Sequence, residues 1–322
     1  MRLYLIALCC LCTNTTHGSL LVGNYLHGRI SRFDDNTGAS QGVFAGTGEG
    51  VTIPEGMTLG PDGSIFVVMD DFSSAPETVT RFTQTGQPLG VFSTLGNGTH
   101  ANDLTFGPDG NLYVSFATAG FVRRYSGING AFIDNFTVGG GLSTGAGLTF
   151  GPDGNLYVSS YETGSVKRYD GLTGQYIGDF ASGGGLSGPT GLEFGPDGSL
   201  FVSSRDTDEV KRYDAITGAF LENFAQGNGL DSPEHLAFGP DGNLYVASFN
   251  TNQVKRFDGT TGAFIDDFVP AAGPAYPVGL LFIPSNVPEP STATLVAFCV
   301  AALLPRLVLH PPASRKMRWR RP

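Results

Sequence analysis

The sequence predicts an all-β chain, a six-bladed β-propeller with four antiparallel strands per blade, from three observations. The tetrapeptide Gly-Pro-Asp-Gly begins at Gly60, Gly107, Gly151, Gly195 and Gly239, so successive copies lie 47, 44, 44 and 44 residues apart, and a fixed period of that size marks an array of equal small units. Each unit carries four short runs rich in aromatic and β-branched residues, which matches the dimension of one propeller blade. The third observation is a phase shift. The chain begins on a second-strand sequence, Ser19-Leu20-Leu21-Val22, and finishes on a first-strand sequence, Val278-Gly279-Leu280-Leu281. One blade is therefore complete only if the C-terminal strand joins the three N-terminal ones, which closes the ring and removes free sheet edges. A linear solenoid has no need of such an offset and would carry atypical capping repeats instead.

Within the copy that starts near residue 147 the four strands, A to D, are expected over 147–150, 155–159, 166–170 and 175–180. The A–B link is Gly-Pro-Asp-Gly: proline presets the first turn dihedral, aspartate is tolerated next, and glycine takes the positive φ. The C–D link, Asp170-Gly171-Leu172-Thr173-Gly174, is a hairpin of similar chemistry with Gly174 as its left-handed residue. Both links are tight, so neighbouring strands run antiparallel. The B–C loops and the D–A links then share the opposite face, around the mouth of the central channel, where the extra residues of the 47-residue spacing fall. Functional groups belong on such variable loops.

Composition narrows the function classes. Residues 19–286 hold 12 Lys+Arg against 28 Asp+Glu, a net of −16, while 306–322 carry six basic residues and no acidic one. So acidic a body disfavours a nucleic-acid partner, which demands clustered positive charge. The four cysteines, Cys9, Cys10, Cys12 and Cys299, all lie in apolar terminal segments, so the repeats have no disulfide and no thiolate ligand. The Gly-Gly-Gly-Leu runs at Gly139 and Gly183 are followed by no Gly-Lys-Ser/Thr and are not phosphate loops.

Repeats such as Pro189-Thr190-Gly191-Leu192-Glu193-Phe194-Gly195-Pro196-Asp197-Gly198 resemble those of NHL-type and streptogramin-lyase-like six-bladed propellers over nearly all of 19–284. The tryptophan often found on strand B of lyase-type members is Tyr or Phe here; the single tryptophan is Trp319. Fold does not carry function.

One arginine recurs in every strand C: Arg32, Arg81, Arg124, Arg168, Arg212 and Arg256, while the preceding position drifts through Ser, Thr, Arg and Lys. A planar hydrogen-bonding role that lysine cannot copy is implied, with the turn aspartates Asp62, Asp109, Asp153, Asp197 and Asp241 as expected partners. Five aspartates against six arginines leave at least one arginine to bond elsewhere.

Strand A usually starts with a small residue followed by Gly, as at Ala146-Gly147, Thr190-Gly191 and Val278-Gly279. Glu55-Gly56, Asn102-Asp103 and Glu234-His235 depart from this. The departures put carboxylates, an amide and an imidazole where six strands converge, the residue types of a cation site or of acid–base work. His27, Asp70, Asp71, His100 and Arg205 fall on loops of the same face. Resemblance to lyase-type propellers implies His235 as a general base beside a divalent cation held by Glu55, Asp103 or Glu234.

The termini carry addresses. Residues 1–18 read as a secretory leader, with Arg2, an apolar run over 3–12, and cleavage expected before Ser19. Residues 287–322 set Pro288-Glu289-Pro290 before an apolar run at 295–304, then Pro305-Arg306 and a basic cluster ending at Arg321. That order resembles the PEP-CTERM sorting signal. It implies an exosortase-type processing protease, transient inner-membrane anchoring with the basic end cytoplasmic, and a cell-surface or extracellular destination. The apolar run is short for a ~20-residue span, which suits a processing signal. Two readings follow: an exported binding or scaffold module for carbohydrate or protein, and a metal-dependent lyase or lactonase with its site at the channel mouth.

Overall fold

The computed structural model describes residues 18–70, 76–96 and 100–284. The leader up to His17, Asp71, and the sorting motif Pro288, Glu289 and Pro290 with the rest of the tail lie outside the described residues. Among the described residues no helix is long and apolar enough to cross a membrane.

Among the described residues twenty-four strands form six four-stranded antiparallel sheets. Blade 1 has the order β24-β1-β2-β3, from Pro277–Ile283, Ser19–Asn24, Arg29–Asp34 and Ser40–Ala45. Blade 2 runs β4 to β7 (Ile53–Leu59, Ile65–Asp70, Glu77–Phe82, Pro88–Gly96), and blade 3 runs β8 to β11 (Ala101–Phe106, Leu112–Phe116, Val122–Tyr125, Phe132–Asn135). Blade 4 is β12 to β15 (Gly145–Phe150, Leu156–Ser160, Ser165–Tyr169, Tyr176–Ala181) and blade 5 is β16 to β19 (Pro189–Phe194, Leu200–Ser204, Glu209–Tyr213, Phe220–Gln226). Blade 6 holds β20 to β23 (Pro233–Phe238, Leu244–Ser248, Gln253–Phe257, Phe264–Val269). The ring closes as the phase shift requires: Leu20 pairs with Phe282, Leu21 with Leu281 and Val22 with Leu280 in antiparallel register.

Blades are glued by a repeated aromatic sandwich. The strand-B ring of one blade meets the strand-D ring of its own blade and the strand-A ring of the next, edge to face. Tyr157 lies 4.8 Å from Phe180 and 5.1 Å from Phe194; Phe66, Tyr113, Phe201 and Tyr245 do the same in their blades. Such pairs add about 0.5–1.5 kcal/mol each beyond the area they bury. At the sixth interface Leu21 takes the ring's place, packed with Phe44 and Leu59.

The turn face is built by repetition. In each Gly-Pro-Asp-Gly link the last glycine is left-handed, with φ +76° at Gly154, and its N–H donates to the Gly151 carbonyl at 2.9 Å. Gly174 in the C–D hairpin also has φ +70°, and a Cβ there would stand 1.8 Å from the Phe136 carbonyl oxygen of the previous blade, so only glycine fits. The strand-C arginines tie this face: Arg81 pairs with Asp62, Arg168 with Asp153 and Arg212 with Asp197. Arg124 sits 3.8 Å from Asp109 but 2.6 Å from Asp134, and Arg256 lies 3.7 Å from Asp241 and 2.5 Å from Asp266. Arg32, which has no turn aspartate, donates to Ser19 Oγ at 3.0 Å and to the Gln84 carbonyl at 3.1 Å.

Candidate functional site

Six A strands line the channel, and their starting positions set its width. Four of these positions are Gly56, Gly147, Gly191 and Gly279. A Cβ at Gly147 would meet the Thr190 carbonyl oxygen at 2.6 Å, at Gly191 the Glu234 carbonyl at 2.7 Å, and at Gly279 the Glu55 carbonyl at 2.2 Å. Adjacent strand backbones approach too closely there for any side chain. The other two positions are Asp103 and His235, in blades 3 and 6, which stand opposite each other in a ring of six. Their side chains reach across the axis, and His235 Nε2 lies 3.9 Å from Asp103 Oδ2.

Above this pair opens a cavity of about 470 Å³, bounded by B–C loops, D–A links and A-strand starts. Tyr25, Tyr161 and Phe249 supply aromatic surface; Glu55, Asp70, Asp103, Glu162 and Glu234 supply carboxylates; Arg205, His100 and His235 supply the basic groups. Phe249 is held by Tyr25 at 5.7 Å and by Tyr276 at 4.9 Å, and the Arg205 guanidinium stacks over it at 5.4 Å.

Each charged group has a distinct status. Arg205 Nε lies 2.8 Å from Glu234 Oε1; burial nonetheless pushes the Glu234 carboxyl up to about 7, against the pull of Arg205. His100 Nδ1 is 3.0 Å from Asp70 Oδ2. Asp103 accepts from the Leu104 N–H at 2.8 Å and the Leu148 N–H at 3.2 Å, so both its oxygens are occupied by backbone. Burial raises it, while His235 and those two amides oppose the rise. His235 Nδ1 is buried and has no hydrogen-bond partner among the described residues. Glu55 makes neither a hydrogen bond nor an ion pair among the described residues. Burial, then repulsion from Glu234, Asp70 and Asp103, drives its carboxyl well above the usual range, with only Arg205 opposing.

The residues singled out in the sequence thus share one cavity: Glu55, Asp70, His100, Asp103, Arg205, Glu234 and His235 all line it, whereas His27 does not. Glu55, Asp103 and Glu234 are not gathered as ligands of one ion. Among the described residues the one group of three whose donor atoms lie within 4.8 Å of each other is Asp70, Glu77 and His100. Glu77 accepts from the backbone N–H groups of His100 and Ala101 at 2.9 and 3.0 Å. Sequence reading passed over Glu77 because the first position of strand C is polar in several blades; the lengthened 47-residue repeat was the only pointer to its neighbourhood.

The family described as strictosidine synthase-like, N-terminal, matches residues 221–250, a stretch from β19 to β21. No curated protein matches the chain at a significant level. Among solved structures, a chain of a nidogen/laminin complex is similar with 17% identity and a TM-score of 0.66, over 84% of this chain and all of that one. A protein of unknown function from Bacteroides caccae has 15% identity and a TM-score of 0.65, over 83% and 99% of the two chains. Virginiamycin B lyase from Staphylococcus aureus has 16% identity and a TM-score of 0.57, over 86% and 87%. These likenesses are of the six-bladed fold.

Proposed function

We propose that the chain is an exported binding module whose ligand, carbohydrate in class, enters the cup at the channel mouth. The carrying observation is the cup itself: a concave space of about 470 Å³ with aromatic rings from Tyr25, Tyr161 and Phe249 and a ring of polar side chains. Ligand sites have this make-up, apolar walls with a few placed polar groups. The protein–protein complex of the nidogen relative supports a binding role for the fold. The leader at 1–18 and the PEP-CTERM-like tail support the route: export, transient inner-membrane anchoring, processing by an exosortase-type protease, and release to the cell surface or matrix.

Calorimetric titration of the full chain with a panel of mono- and oligosaccharides tests the proposal. Binding of at least one sugar, weakened tenfold or more by Phe249→Ala, is expected. An affinity unchanged in that variant, or no binding across the panel at millimolar sugar, overturns it. The route is tested separately by mass spectrometry of the surface-released protein, which should begin at Ser19 and end near Pro288.

One observation favours a second reading, a metal-dependent lyase: His235 shares the cup with Asp70 and His100, two members of the clustered trio of cation-ligand side chains, on a fold shared with virginiamycin B lyase. A related structure pairs a catalytically inactive histidine variant of that enzyme with quinupristin. Glu77, like Asp103, already accepts from two backbone amides, but the donor atoms of Asp70, Glu77 and His100 lie within 4.8 Å of one another, so these three would hold a divalent cation rather than Glu55, Asp103 and Glu234. The cation would supply Lewis acidity, and His235 would accept a proton at Nε2. Metal analysis of the purified chain separates the two readings: a stoichiometric divalent cation favours the lyase, and a metal-free chain that binds sugar favours the module.

A further inference from the structure

We infer that the group the cup recognises is a primary ammonium carried on a sugar, an unacetylated amino sugar, and that Glu55 is the residue that receives it. This rests on the binding reading above. Each basic group facing the cup already stands beside an acid: Arg205 beside Glu234, His100 beside Asp70, and His235 across from Asp103. Glu55 is left over. It lines the cavity, makes no hydrogen bond or ion pair among the described residues, and sits where three other carboxylates repel its charge. A recessed carboxylate in that position either keeps a proton or takes a cation from outside. A ligand ammonium supplies the missing partner, and a charge-assisted hydrogen bond of this kind is among the stronger ones.

The cavity selects the kind of cation. A metal ion needs several converging donors, and among the described residues Glu55 belongs to no group of three close ligand atoms. An ammonium needs fewer, and the Tyr25 ring, close enough to Glu55 to feel its charge, adds attraction. A space of about 470 Å³ lined also by Tyr161 admits a pyranose ring, whose apolar face an aromatic ring can cover, whereas a slender alkylamine would leave most of it filled with water.

Calorimetry of the full chain at pH 7.5 with three probes decides the matter: a glucosamine trimer, its fully N-acetylated form, and Nα-acetyl-lysine amide. The unacetylated trimer is expected to bind at least tenfold more tightly than the acetylated one, and Glu55→Gln to abolish that preference. Acetylated and free trimers binding alike in both proteins would overturn the inference and leave the sugar-binding reading standing. Neither trimer binding would overturn the inference, and the sugar-binding reading would then be decided by the wider panel. Lysine amide binding as tightly as the free trimer would overturn the sugar assignment. Should Glu55→Gln fail to fold, the wild-type chain still answers by salt: the preference for the free trimer must shrink as sodium chloride is raised from about 50 to about 500 mM, and a preference indifferent to salt rejects it. The groups facing Glu55 that titrate or carry charge are Tyr25, Asp70, His100, Asp103, Arg205, Glu234 and His235.

Discussion

The two faces of the ring use the same repeat in opposite ways. On the turn face each blade sets the same arginine against the first-link aspartate or a strand-D acid, and Arg32 alone bonds neutral groups. At the mouth the equivalent positions diverge: four A strands start on glycine because the neighbouring backbone leaves no room, while Asp103 and His235 fill the two remaining places and meet across the axis. Repetition builds the frame, and departure from repetition builds the cup. Energetically the frame is tuned for folding and the cup against it, since Glu55 and Glu234 are half-buried with raised carboxyl groups.

Four perturbations probe that contrast. The largest effect is expected in the frame: Tyr157→Ala removes the ring between Phe180 and Phe194 and should cost about 3–5 kcal/mol of stability in denaturant unfolding; a loss under about 1 kcal/mol would mean that the aromatic sandwiches do not hold the blades. Gly279→Val, which forces a side chain against the Glu55 carbonyl, should cost about 3 kcal/mol, whereas His235→Gly, at the equivalent position in blade 6, should change stability by under about 1 kcal/mol. Equal costs would erase the distinction between the glycine and non-glycine positions.

A third probe uses pH. Burial pushes the Glu193 carboxyl on β16 up to about 7 from 4.5, although its Oε2 accepts from the Phe238 N–H at 3.0 Å. A carboxyl raised in the folded state binds its proton more tightly there than when unfolded. Its contribution is therefore complete below about pH 4.5 and is lost as pH rises through about 7. Glu193→Gln keeps an acceptor without a charge, and should raise stability at pH 8 by about 2 kcal/mol relative to its effect at pH 4; a pH-independent difference would contradict the assignment. The smallest effect is expected at the arginine ties. Arg168 and Asp153 are partly exposed, so Arg168→Met should cost under about 1 kcal/mol, read from the unfolding midpoint.

Legibility in the sequence followed the same division. Blade number, strand order and ring closure were readable because glycines, prolines and aspartates recur at fixed offsets, and strand limits such as 155–159 against Leu156–Ser160 differ by one residue. The place of the cup was readable too, from Glu55, Asp103, Glu234 and His235 standing where other repeats have small residues. Which charge answers which was not. That Asp103 is held by the Leu148 amide 45 residues away depends on how closely neighbouring A strands approach, and that Arg205 takes Glu234 and that Glu77 joins Asp70 and His100 depend on loops whose lengths vary between blades; a one-dimensional pattern does not encode these meetings.

Carbon-detected NMR titration of the Glu55 side chain, with and without a glucosamine trimer, tests the central claim most directly. The unpaired carboxyl should titrate above the ordinary carboxylate range in the free chain and fall back toward that range when the amino sugar is added. A normal titration in the free chain, unmoved by the sugar, would contradict it.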